Sequence, residues 1–307
     1  MSDSKSAAAT TERSTMNPGQ AYAVLTFTVF IWAVGIVIGR WVHEEIPPVG
    51  LSFWRWAVPV AMVVPFVWPE LRRHRRVFAA HWRVFLSMGV CIIGGGTGLL
   101  ISVQFTTAIN ASLVNTTQPA LTIFLAWLFF GDRMNRRQIL GLCAATLGVV
   151  IMILKADLSS MADLRLNPGD IVVLLATASY GLYAVQIRKL PPEVGLFTGL
   201  CVIMVVGSIA LLPFYVVETV YFKPVPFDLK TVVVILVLGI SQSLVSVAMW
   251  NAGNRAVGPG RASMFVALFP VFGAMLAIAF LGEQLYMYHL LGALFVCGGI
   301  FMVVRHH

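Results

Sequence analysis

Eleven side chains set inside long apolar runs are the ones placed to meet a small molecule. Trp32, Gln104, Asn115, Thr116, Tyr180, Tyr183, Gln242, Ser246 and Trp250 come from the first, third, fourth, sixth and eighth runs, and Phe265 and Phe269 come from the ninth. Amides and hydroxyls hold amino and carboxylate groups by hydrogen bonds without fixed charge. Tyrosine and tryptophan add an apolar face with a polar tip. Together they suit a small amphipathic zwitterion such as an amino acid. The same residues would also serve as hydrogen-bonding and packing groups between helices.

Reactive chemistry is missing from the chain. It has no P-loop, no HExxH, no GxSxG and no carboxylate pair at catalytic spacing, so neither ATP hydrolysis nor an enzyme is expected. Cys91, Cys143, Cys201 and Cys297 all lie in apolar runs without metal-type spacing. No metal and no cofactor is expected. No Asp, Glu or His falls at the middle of a run, which weighs against a buried carboxylate proton relay. Asp170, near the start of the sixth run, keeps a proton antiporter open. Arg55 lies within the second run, where an arginine is a functional candidate by default, but it is only about two turns from the end, and anchoring by snorkelling to the interface is the expected role.

The elements that carry these residues follow from composition. Of 307 residues, 59% are hydrophobic and 11% charged, against about 25% charged in a soluble domain. Lipid is the solvent such a surface requires. The basic residues sit in short loops, so the net charge of +8 does not point to a nucleic-acid partner. Ten spans are predicted, near 21–41, 50–68, 84–105, 111–130, 138–154, 171–187, 195–216, 231–250, 262–281 and 288–304. The fold class is all-α integral membrane. Residues 1–18 are polar and expected to be disordered, and the first run is long enough to stay as an anchor. After the eighth run, Asn251, Asn254, Gly258, Pro259 and Gly260 are expected to break the helix.

An internal repeat organises the spans. Residues 111–148 and 262–299 align without gaps at an offset of 151, with ten of thirty-eight positions identical, where chance gives roughly three or four. Pro119 matches Pro270, Gly131 matches Gly282, Asp132 matches Glu283, Gly141 matches Gly292, and Gly148 matches Gly299. Each copy holds five spans. An odd number inserts the second copy upside down, giving two inverted five-helix repeats, 19–155 and 169–307, joined by 156–168. Pro119, Pro270 and the Gly258-Pro259-Gly260 turn are the expected hinges. Of 21 basic residues, 15 fall on the side of the termini, which predicts cytoplasmic N- and C-termini.

On these residues the chain resembles the drug/metabolite transporter superfamily, in its EamA-type ten-span branch. Trp32, Arg55 and the duplicated Pro119…Gly131-Asp132…Gly141…Gly148 and Pro270…Gly282-Glu283…Gly292…Gly299 patterns carry the likeness, over roughly residues 21–304. The first copy has Gly-Asp where relatives have Gly-Glu. The resemblance implies alternating access around a central cavity, with spans five and ten at the periphery. Overall it is similar to YddG-type exporters of aromatic and other amino acids. That implies amino-acid or small-metabolite export from a bacterial inner membrane, and a monomer is expected. Drugs or cationic dyes are the alternative cargo, and a membrane scaffold or enzyme is the alternative class.

Overall fold

A computed structural model describes residues 16–131, 135–153, 167–191, 193–257 and 265–304. Helices account for nearly all of them. The first is α1, Pro18–Trp41, which starts with Pro18 behind an Asn17–Gln20 capping box, the pairing that satisfies orphan N–H groups at a helix start. Then follow α2 (Pro48–Arg73), the short α3 (Arg75–Ala80), α4 (Trp82–Ser102), α5 (Ala108–Asn115), α6 (Gln118–Phe130) and α7 (Arg136–Ile153). The second half has α8 (Pro168–Gln186) and α9 (Leu196–Tyr221). Next, α10 (Leu229–Leu238) runs through a π-helical segment, Gly239–Val245, into α11 (Ser246–Val257). Last come α12 (Phe269–Leu281) and α13 (Met287–Val304).

Among the described residues, six helices are long and apolar enough to cross a membrane, and α5 with α6, bent by 43°, makes a seventh. The helices α7, α12 and α13 fill the other three positions, giving the ten-helix membrane fold. Large apolar side chains face outward, such as Phe66 at 84% exposure and Phe280 at 74%. Lipid, not water, suits that surface.

One helix of each half matches its counterpart residue for residue. α6 and α12 each have 13 residues, each carries its proline at the second position, and each ends on a left-handed glycine, Gly131 at φ 70° and Gly282 at φ 65°. Only glycine adopts that backbone without strain, which explains both repeated glycines. At the periphery α7 lies against α13. A side-chain carbon on Gly148 would sit 2.6 Å from the Gly292 carbonyl oxygen, and one on Gly299 would strike the Gly141 carbonyl. Gly141 and Gly148 of one half therefore meet Gly299 and Gly292 of the other, the exchange a pseudo-two-fold axis produces.

Two of the boundaries that differ from the sequence expectation bear on the site. α4 ends at Ser102, so Gln104 falls in the turn beyond it. The eighth span does not break at Asn251 and Asn254; α11 stays helical to Val257. Asparagine in a helix loses only a fraction of a kcal/mol relative to alanine, and burial against α1 outweighs it.

Candidate functional site

A cavity of about 330 Å³ lies between the halves. α1, α2, α4 and the α5–α6 break contribute from the first half. α8, α9, the π-helical segment, α11 and α12 contribute from the second. The break itself is built from four polar residues. Thr116 and Thr117 turn their hydroxyls back onto the Ser112 and Val114 carbonyls at 2.8 and 2.7 Å. Pro119, lacking an N–H, cannot bond the Asn115 carbonyl, and the two hydroxyls brace the turn just before it. Asn115 and Gln118 face the cavity. Asn115 is held by the Thr177 hydroxyl, which donates to its Oδ1 at 3.1 Å.

Of the eleven residues predicted from sequence, Trp32, Asn115, Tyr180, Tyr183, Gln242, Trp250 and Phe269 line this space. The other four lie elsewhere among the described residues. Gln104 sits past the end of α4. Thr116 is buried with its hydroxyl spent on the helix backbone. Phe265 stacks on Tyr22, ring centres 5.4 Å apart, outside the lining. Ser246 is fully buried behind the wall; it accepts from Trp32 Nε1 at 3.1 Å and donates to the Gln242 carbonyl. It positions Trp32 without touching the cavity. Trp32 and Trp250 meet with ring centres 5.0 Å apart.

Pro119 and Pro270 stand where a helix restarts after an irregular turn. Gly258, Pro259 and Gly260, and also Asp132, lie outside the described residues.

Arg55 is the main correction. It does not snorkel. It is 6% exposed and lines the cavity. Its Nη1 donates to Gln242 Oε1 at 3.2 Å, while Gln242 Nε2 donates to the Ile31 carbonyl of α1 at 2.9 Å. One amide thus ties α1, α2 and the π-helical segment together. Such a segment re-aims a side chain and recurs at functional sites. Gly96 of α4 makes room for the guanidinium and for the Tyr180 hydroxyl, since a side chain there would strike both. The Gly94–Gly98 run is therefore a close-approach surface toward α2 and α8. Neither Asp nor Glu is among the lining residues. Asn251 and Asn254, expected as helix breakers, line the wall instead.

The cavity reaches Ile187, Leu190 and Asn254, at the end of the bundle where α1 begins and α13 ends. The opposite end is cross-linked. Arg40 donates to the Val103 carbonyl at 2.5 Å, Lys230 pairs with Glu45 at 2.7 Å, and the Thr106 hydroxyl donates to buried Asp170 at 2.5 Å. Glu283 accepts from the backbone N–H groups of Ala108 and Ile109, at 2.8 and 3.0 Å, and so caps α5.

Two copies of one sequence pattern match the EamA-like transporter family, over residues 20–154 and 167–305. The chain belongs to the EamA-like transporter family. A membrane transporter is therefore the function class. Among relatives, the uncharacterized transporter YyaM of Bacillus subtilis is 24% identical over 283 residues, covering 90% of each chain. A probable amino-acid metabolite efflux pump of Escherichia coli is 25% identical over 294 residues, covering 90% of this chain and 92% of that one. A crystal structure with 15% identity covers 92% of this chain at a TM-score of 0.57, which supports the fold alone.

Proposed function

We propose that this EamA-family transporter exports amino acids or closely related small metabolites from the cytoplasm. The observation that carries the reading is the cavity itself. Both halves line it, aromatic faces and amides make its wall, and about 330 Å³ places it at the small end of ligand sites. The Escherichia coli relative named for amino-acid metabolite efflux supports the same cargo.

The mechanism is alternating access by a monomer in a bacterial inner membrane. The distribution of basic loops favours cytoplasmic termini. With that orientation the cavity faces the cytoplasm and the cross-linked end faces outward, a state ready to load. Rocking about Pro119 and Pro270 would break the Arg40–Val103 and Lys230–Glu45 contacts and release cargo. A cationic drug is the less favoured cargo, because a positive Arg55 without a lining acid repels it.

The test is counterflow. Purified protein in liposomes preloaded with an unlabelled amino acid should accumulate the labelled one. If no amino acid exchanges while a dye does, the multidrug reading takes over.

A further inference from the structure

We infer that Arg55 is the receptor for a carboxylate on the transported molecule, and that the cavity selects small amphipathic carboxylates over the matching amines. This deepens the proposed function and rests on the cavity being the transport site.

A guanidinium presents two faces to a carboxylate, and the side-on face consists of Nε and Nη2. In Arg55 those two nitrogens have no hydrogen-bond partner, and both are buried. The remaining nitrogen, Nη1, is tied to Gln242, and Gln242 is tied to α1. The guanidinium is therefore held in one orientation at the cavity wall, with its other edge packed against Gly96 and beside the Tyr180 hydroxyl. Its neighbour Trp56 also lines the cavity, with an indole N–H that has no partner.

Electrostatics point the same way. A charge buried to this degree is expensive unless an opposite charge meets it. Among the described residues no acid lines the cavity to do so. A cargo carboxylate would supply the missing charge. The opposing wall, with Trp32, Trp250 and Tyr183, offers apolar faces for the rest of the molecule. A cargo carrying only an amine would add a second positive charge to a low-dielectric space. Electrostatic complementarity of this kind sets selectivity.

The experiment is calorimetric titration of the purified full-length protein with four probes that share a benzyl group: L-phenylalanine, 3-phenylpropionate, L-phenylalaninamide and 2-phenylethylamine. The two acids should bind, and the amide and amine should be weaker by at least about tenfold, the loss expected for one charge-assisted pair. Arg55→Gln should abolish that preference, and Arg55→Lys should keep part of it. The wild-type comparison stands even if the variants fail to fold. Equal affinity for 2-phenylethylamine and 3-phenylpropionate overturns the inference, as does unchanged acid binding in Arg55→Gln. So does a lack of binding by both acids, even where counterflow finds another cargo and leaves the transport reading intact. Binding of 3-phenylpropionate but not L-phenylalanine keeps the receptor and removes the amino-acid reading.

Discussion

Glu70 and Glu218 hold each other's helices. Each is three residues from the end of a 26-residue helix, α2 and α9 respectively. Glu218 accepts from the Val49 and Gly50 backbone N–H groups at the start of α2, at 3.0 and 2.6 Å. Glu70 accepts from the Thr198 hydroxyl at the start of α9. A carboxylate at a helix start satisfies orphan N–H groups and complements the helix dipole. Removing the charge should weaken both ends unequally, because Glu218 caps two backbone groups directly and Glu70 acts through a side chain. Glu218→Gln should lose about 1–2 kcal/mol of stability, and Glu70→Gln should lose less. Matched-rate melting of detergent-purified protein reads this, and an equal or reversed order would contradict the capping assignment.

The Gly148–Gly292 contact should be intolerant of bulk. A single added carbon on Gly148 already approaches the Gly292 carbonyl oxygen at 2.6 Å. Gly148→Val should separate α7 from α13 at about 1–3 kcal/mol, the range for overpacking. Gly148→Ala should fall between it and the native protein. Because both helices lie at the periphery, counterflow by the surviving folded fraction should stay near normal.

Gly35 should matter to the cavity more than to the fold. A side-chain carbon there would overlap the Gln242 amide. The amide is the far end of a flexible side chain and will move. Moving it releases Arg55 Nη1 and the Ile31 carbonyl. Gly35→Ala should therefore raise the transport KM by about tenfold, since each bond is worth about 1 kcal/mol, while the melting temperature changes little. A lower melting temperature with normal KM would make Gln242 only a strut.

Ser246 should act through Trp32. Its hydroxyl is buried, and its contact to the cavity runs through the Trp32 indole N–H. Trp32→Phe and Ser246→Ala should each weaken substrate binding. Together they should do little more than either alone, with a coupling of about 0.5–1.5 kcal/mol. Strict additivity in the double-mutant cycle would separate the two residues.

Much of the frame was legible in the chain itself. Apolar runs long enough to span lipid, and the matched Pro119/Pro270 and Gly131/Gly282, announce two copies of one helical unit. These signals are local: a run length, a missing N–H, and a left-handed φ are written in neighbouring residues. Seven residues of the cavity wall were legible for a related reason, since polar and aromatic groups inside apolar runs need an interior partner.

Which face of each helix turns inward was decided only by tertiary structure. Helices apolar all round carry no amphipathic stripe to fix their rotation. Rotation is set instead by contacts between distant residues, such as Gly96 beneath Arg55 and Tyr180, or Gln242 between Arg55 and Ile31. That is why Arg55 reads as an interfacial anchor in sequence yet lies at the cavity, and why Phe265 falls outside it. The π-helical turn that aims Gln242 has no sequence mark, because its extra residue per turn is stabilised by what the side chain reaches across the bundle.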